Sequence, residues 1–323
     1  MNLADRFARR VKLRDLNILI ALAQHGSMAK AARHLATSQS VISKAIADLE
    51  RTLAVRLFDR TAQGVELTLF GRAILDRGVA VFDELKQGAH DIEFLADPTV
   101  GELRIGCTEW LEAGLISVVI ERLSRQYPRI VFHVEHAHTA TADYRELRDR
   151  SFDLAVVRIP APFLEKDLDA EILFEEPILV VAGSKSKWAG RRKVALAELL
   201  QEPWLLTPPD TLPRSLVEEA FRAHGLEVPA PSVVSYTYHL RNSLVAMGRY
   251  LTVVPASMLH FNVAGLPVKA LPIEMPIRPR PVAIVRLKHR TLSPVAKLFI
   301  EAAREAAKPL AKLNRNSRSD RSN

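Results

Sequence analysis

The sequence predicts two kinds of structure in series: an all-α N-terminal segment built on a helix-turn-helix, closed by a hairpin and one long helix, and then a C-terminal α/β domain. Three observations carry this. Residues 13–52 show an apolar period of helical spacing broken into three short pieces. Residues 68–96 carry one uninterrupted helical pattern. From residue 101 the pattern changes to short apolar runs alternating with helical segments, as strand–helix–strand units require.

A length of 323 residues suits two or three domains. With 48% hydrophobic and 25% charged residues the usage is that of a globular protein with a sizeable core, not a disordered or fibrous one. No apolar run reaches the ~18 residues that span a bilayer, and no N-terminal apolar leader is present, so a cytoplasmic protein is expected. The single cysteine, Cys107, sits in the apolar run LRIGC and reads as a buried, inert thiol rather than a redox sensor. The net charge of +8 is uneven: residues 1–72 carry +6, residues 306–323 carry +4, and the remainder −2. A basic N-terminal segment is the electrostatic footprint of a phosphate-binding surface.

Residues 1–11 are short and basic, and Arg6, Arg9 and Arg10 belong either at a phosphate backbone or in a frayed terminus. Leu13, Leu16, Ile20 and Ala23 recur on one helical face. Gly26 ends that helix, and Ser27 is a good N-cap for a second one, about Met28 to Leu35. There Ala31-Ala32 lets another helix approach closely. Ala36-Thr37 makes a tight turn. Ser38 caps a third helix from Gln39 to about Thr52, with Val41, Ile42, Ala45, Ile46 and Leu49 facing inward. This is the helix-turn-helix plan, whose third helix enters the major groove by its N-terminal end. Thr37, Ser38, Gln39, Ser40, Ser43 and Lys44 lie there. All are polar, and Gln39 can pair bidentately with adenine. On helix pattern alone, a three-helix bundle with a polar face is an equal reading.

The next residues narrow the choice. Val55 to Leu67 alternates apolar and polar residues on either side of Ala62-Gln63-Gly64, which is a hairpin. With Ser38-Gln39, Leu49-Glu50, Leu57-Phe58-Asp59-Arg60, Leu67-Thr68 and Gly71-Arg72 in register, residues 12–95 resemble the N-terminal part of LysR-type transcriptional regulators. Two positions depart from that pattern. Ser40 stands where the family usually has Pro, and Leu69-Phe70 where small or acidic residues usually precede the linker glycine. The resemblance implies a winged helix-turn-helix over residues 1–67. It places Arg60 near phosphate or the minor groove, where negative potential is concentrated; a salt bridge to Asp59 or Glu66 is the alternative. It also implies a linker and dimerisation helix over residues 68–96, capped by Thr68. The series Ile74, Val81, Gly88, Leu95 and Gly78, Leu85, Ile92 has the spacing of a seam against a second helix; packing on its own domain is the alternative. Pro98 cannot continue the helix, so residues 97–100 form a hinge.

Beyond the hinge, strands are expected at 101–107, 130–137, 153–159, 173–183, 204–207, 233–236, 251–255, 268–271 and 282–287. Helices are expected at 115–127, 141–150, 193–200, 212–224, 240–247 and 294–307. The motifs GELRIG, Tyr127-Pro128 and FDLAVV resemble the effector domain of the same family, which looks like a two-lobed periplasmic binding protein. Lobe 1 is then residues 101–161 and 268–307, lobe 2 residues 162–267, and residues 308–323 a disordered basic tail.

Ligands of such sheets sit at strand C-terminal ends. That makes Thr108, Glu109, His138, Thr207, Ser235 and Tyr236 the candidate effector residues. Thr108 falls where the family commonly places Ser or Thr; a plain N-cap is its other role. Glu109 adds negative charge, which weighs against a dianion and leaves a sugar, a neutral polyol or a small organic acid. His133 points to the opposite strand face from His136 and His138, so no metal site is expected. Ser184 and Lys187 have the spacing of an acylating pair without its companion motifs. No cofactor motif and no catalytic set is visible. The resemblance therefore implies a sequence-specific regulator and not an enzyme. Its partners would be double-stranded promoter DNA, a small-molecule effector, a second copy or more of itself as homodimer or homotetramer, and RNA polymerase. The competing classes are a transport-type binding protein or an enzyme on the two lobes, and a structural nucleoid protein.

Overall fold

The computed structural model describes residues 3–61, 64–137, 144–209, 211–261, 265–273, 275 and 279–319. The chain forms two compact units, Met1–Ala89 and His90–Asn323.

In the first unit, α1 (Leu3–Arg10), α2 (Leu13–His25), α3 (Met28–His34) and α4 (Gln39–Leu53) surround one apolar core. Ile18, Leu19 and Leu22 of α2 meet Ala31 and Ala32 of α3 and Ile42, Ile46 and Leu49 of α4. The inner face of α2 is rotated from the expected one, and Leu13 is 47% exposed. Within the segment 1–11, residues 3–10 form a helix instead of a frayed end, because Phe7 supplies an apolar side chain to the same core. Ser38 caps α4 by accepting from the Val41 N–H at 3.4 Å. Ser27 occupies the cap position of α3 without a side-chain bond. The wing is a two-stranded antiparallel sheet, β1 (Phe58–Thr61) and β2 (Gly64–Leu67), in the register Phe58↔Leu67 to Thr61↔Gly64.

α5 (Leu69–Ala96) starts where the Thr68 hydroxyl accepts from the Gly71 N–H at 3.0 Å. Its expected seam divides. Ile74 and Leu75 pack on the helix-turn-helix core, and Gly78 lies against Leu16 and Ile20. Val81, Leu85, Ile92 and Leu95 are exposed.

The second unit runs β3 (Val100–Cys107), α6 (Glu109–Leu111), a π-helical turn (Glu112–Ile116), α7 (Ser117–Gln126), β4 (Arg129–His136), α8 (Arg145–Arg148) and β5 (Leu154–Arg158). It continues through β6 (Leu168–Glu176), β7 (Ile178–Gly183), β8 (Trp204–Leu206), α9 (Leu212–Ala223), β9 (Pro231–Val234), α10 (Tyr238–Ala246), β10 (Leu251–Pro255), α11 (Ala256–Phe261), β11 (Val268–Ala270), β12 (Arg280–Leu287) and α12 (Pro294–Ser319). One five-stranded sheet has the order β4-β3-β5-β12-β6 and the other β9-β8-β10-β7-β11. In each, three parallel strands are followed by an antiparallel one and a closing edge strand. The two sheets are the two expected lobes, each with its own core: Leu103, Ile105, Val156, Ile284 and Phe299 in one, Trp204, Phe221, Leu251 and Val253 in the other.

Several boundaries differ from expectation. The single strand expected at 173–183 is two strands in different sheets. Pro177 has no N–H for a ladder, and the chain changes sheet there. β6 therefore belongs to lobe 1, although it lies within 162–267, and β11 pairs with β7 in lobe 2, although it lies within 268–307. The helix expected at 193–200 is one 3-10 turn, Leu196–Leu199. The helix expected at 141–150 is reduced to Arg145–Arg148 among the described residues. Residues 308–319 continue α12, in place of a disordered tail, because Ala307 and Leu310 still face the lobe 1 core. Among the described residues, no helix is long and apolar enough to cross a membrane.

Candidate nucleic-acid interface and ligand cleft

The six helix-turn-helix candidates fall at the start of α4. Ser38, Gln39, Ser40, Ser43 and Lys44 are exposed, and Thr37 is half-buried in the turn before them. The buried residues Ile42, Ala45 and Ile46 hold the opposite face of the helix on the core, so the polar row is turned outward by packing. Gln39, Ser43 and Lys44 have no side-chain partner among the described residues, which leaves their donors and acceptors available. Ser40, at the position of the family's proline, has its hydroxyl 2.8 Å from that of Ser38 and so joins the capping group.

The wing is tied to the helical core through side-chain and backbone hydrogen bonds to its main chain. Glu50 Oε1, near the end of α4, accepts from the N–H groups of Leu57 at 2.7 Å and Phe58 at 3.3 Å. The Val65 N–H donates to the Gly26 carbonyl at 3.0 Å. The Thr68 hydroxyl donates to the Arg56 carbonyl at 2.8 Å while capping α5. Arg60 is exposed opposite Val65, and no salt bridge to Asp59 or Glu66 forms. Its guanidinium is thus presented to solvent from the wing.

In the second unit, strand ends of the two sheets meet. Thr108 follows β3 and is 2% exposed, and its hydroxyl has no partner among the described residues. Glu109 Oε2 accepts from the Tyr238 N–H at 2.8 Å, so the carboxylate of one lobe sits at the N-terminus of a helix of the other. Trp110 packs on both the lobe 1 core and the cluster of Val181, Leu205, Tyr238 and Met258. Of the other expected residues, the Ser235 hydroxyl accepts from Thr237 N–H at 3.1 Å and shapes the entry to α10. Thr207 is buried with its hydroxyl 2.6 Å from that of Thr211, the cap of α9. Tyr236 is exposed. His138 lies outside the described residues.

Four residues missed in the sequence complete this region. Arg241 and Asn242, on α10, are buried, and Arg241 Nε and Asn242 Nδ2 have no partner among the described residues. Burial pulls the pKa of Arg241 down, and the charge of Glu109 opposes that pull. Arg158, at the end of β5, pairs with buried Glu176 at 3.1 Å and stacks 5.4 Å from the Trp110 ring centroid. Glu176 also accepts from the Ser257 N–H at 3.1 Å, tying β6 to α11. A buried basic residue in a helical apolar pattern has no sequence signal of its own. A separate groove of about 970 Å³, lined by Ser186, Lys187, Glu202, Gly225, Gly248 and Arg249 among others, contains none of the expected residues and no unpartnered buried polar atom.

Cys107 is fully buried. Burial and the neighbouring Glu112 carboxylate push its thiol far above the ordinary range, so it is inert as a nucleophile.

Two family models cover most of the chain: the bacterial regulatory helix-turn-helix of the lysR family over residues 13–72, and the LysR substrate binding domain over residues 96–308. The transcriptional regulator GbpR of Azospirillum brasilense is 29% identical over 300 residues, covering 92% of this chain and 87% of its own. A full-length OxyR variant from Pseudomonas aeruginosa superposes with a TM-score of 0.64 at 23% identity, over 92% of this chain and 95% of its own. Full-length CbnR complexed with its target DNA superposes with a TM-score of 0.51 at 22% identity, over 92% and 100%. The exposed polar row of α4, the wing and the two-lobed domain are thus parts of one known design, and the chain belongs to the LysR family of bacterial transcriptional regulators, DNA-binding proteins controlled through their effector domain.

Proposed function

We propose that this regulator, acting in the cytoplasm and not as an enzyme, reads promoter DNA through Thr37, Ser38, Gln39, Ser40, Ser43 and Lys44, with Arg60 on the flanking backbone or minor groove, as a homo-oligomer. The observation that carries the reading is the unpartnered row Gln39, Ser43 and Lys44 at the N-terminal end of a helix whose other face is locked by its core. That is the geometry of a recognition helix. Gln39 specifies bases, and Lys44 and Arg60 neutralise phosphates. The exposed apolar residues of α5, from Val81 to Leu95, are the surface through which a second copy pairs, bringing two recognition helices to two half-sites. An effector enters between the lobes near Thr108 and changes how the oligomer holds DNA, which requires that it bind two states unequally.

The test is fluorescence anisotropy of the purified protein with DNA from upstream of its own gene and with a scrambled duplex, at two salt concentrations. Preference for the specific site by about 10³-fold or more is expected. Gln39→Ala should lower that preference, and Arg60→Ala should weaken binding to both duplexes and flatten the salt dependence. Absence of DNA binding at low salt overturns the reading.

A further inference from the structure

We propose that the effector is a small monoanion, a carboxylate-bearing acid whose charged end seats on Arg241, Asn242 and Thr108. The inference rests on the cleft being the effector site, and it adds the ligand's chemical class. It follows from which groups in the second unit lack partners. Among the described residues the buried unpartnered side-chain atoms there are Thr108 Oγ1, Trp110 Nε1, Arg158 Nε and Nη1, Trp188 Nε1, Arg241 Nε, Asn242 Nδ2 and Ser257 Oγ. All are N–H donors or hydroxyls, and no carbonyl or carboxylate oxygen is among them. Apart from Trp188, they belong to the residues where the two sheets meet: the end of β3, the end of β5, α10 and the start of α11. A ligand rich in acceptors satisfies them.

Charge decides between a neutral acceptor and an anion. Arg158 is already matched by Glu176. Arg241 is 4% exposed and has no ion pair among the described residues; Glu109, the nearby carboxylate, spends an oxygen on the Tyr238 N–H. A buried guanidinium with no carboxylate in ion-pair contact is costly even with the Glu109 charge nearby, and a sugar or polyol leaves that cost in place. One negative charge removes it. A second negative charge meets Glu109, which penalises dianions.

The experiment is thermal unfolding of the full-length protein with acetate, propionate, butyrate and benzoate. Each is compared with its amide and with sodium chloride at equal ionic strength, with succinate as the dianion and glucose as the polyol. Acetate fits any cavity that takes a larger acid. Monocarboxylates should raise the unfolding temperature above the chloride control, and the amides, glucose and succinate should not. Arg241→Gln should weaken the best acid by about tenfold or more, and ligand-free Arg241→Gln should unfold no earlier than wild type, since it breaks no ion pair among the described residues. No carboxylate effect over chloride, or equal effects of acids and amides, overturns the monoanion. An acid effect that survives Arg241→Gln overturns the assignment of its seat. If an acid binds but leaves the anisotropy of the DNA complex unchanged, effector control fails while the ligand class stands.

Discussion

Single residues explain why parts of the N-terminal pattern are as they are. Glu50 is not a surface charge on the recognition helix. Its carboxylate takes two backbone N–H groups at the start of β1 and so fixes where the wing leaves α4. Removing it leaves those donors to water and frees the wing. Glu50→Ala should cost about 2 kcal/mol in urea unfolding and weaken DNA binding, whereas Glu50→Gln, which keeps the acceptor oxygen, should lose less. Equal losses would show that charge and not the backbone bonds matters. Glycines of α5 separate in the same way. A Cβ on Gly71 would lie 2.1 Å from the Leu57 carbonyl oxygen, a backbone atom that cannot step aside. A Cβ on Gly88 meets nothing within 4 Å. Gly71→Ala should therefore destabilise by about 1–3 kcal/mol in spite of the better helix former, and Gly88→Ala should stabilise by up to about 1 kcal/mol. Urea midpoints of the two variants, moving in opposite directions, are the check.

At the scale of elements, α5 shows how one helix serves two environments. Its first turns complete the helix-turn-helix core through Ile74, Leu75 and Gly78, and its last turns bring Phe94 to the lobe 1 core. Between and beside these, Val81, Leu85, Ile92 and Leu95 face solvent in the isolated chain. Apolar residues repeated at 3.5-residue spacing and left uncovered mark a helix–helix seam. Leu85→Glu with Ile92→Glu should shift the sedimentation coefficient to that of a monomer and weaken binding to a two-half-site duplex without unfolding either unit. A variant that sediments as wild type would move the oligomer contact elsewhere. The 3.5-residue series itself was readable in the sequence. Its division was not, because the pattern records which residues are apolar and not which neighbour covers them.

At the scale of the molecule, the effector domain is held by long-range charge pairs as well as by two cores. Arg148 bonds Asp167 at 2.7 and 2.9 Å, and Arg304 of α12 bonds Glu171 of β6 at 2.5 and 2.9 Å. These bonds hold both carboxylates below their ordinary range, the hydrogen bond being the larger cause in each. A depressed carboxylate stabilises the folded state fully above its ordinary pKa of about 4, and the contribution is lost as pH falls from there through the lowered folded-state value. The unfolding temperature should therefore drop between pH 5 and pH 3, and Glu171→Gln should show a shallower drop; since both pairs are partly exposed, the effect is modest and salt-sensitive. Identical pH profiles for the two proteins would remove this pair from the account.

The sequence by itself determined the helix-turn-helix, the wing, the long helix, the strand–helix alternation and the polar row from Thr37 to Lys44. These rest on local period, caps and turns, which a chain carries in its own order of residues. It also marked Thr108 and Glu109, because a strand end followed by a polar N-cap is a local pattern. Only the tertiary structure decided that β6 and β11 exchange lobes at Pro177 and after residue 270, since sheet membership depends on partners far away in sequence. The matched strand order of the two sheets was hidden for the same reason: β12 enters its sheet from late in the chain and β7 from early. The Thr207 hydroxyl was paired with that of Thr211, four residues on, and α12 was carried past residue 307 by contacts with a core that its own composition does not show. Most consequential was Arg241. By sequence alone it is one basic side chain among 45 Lys and Arg; folding buries it with no ion pair among the described residues, and desolvation turns an ordinary guanidinium into the strongest statement the cleft makes about its ligand.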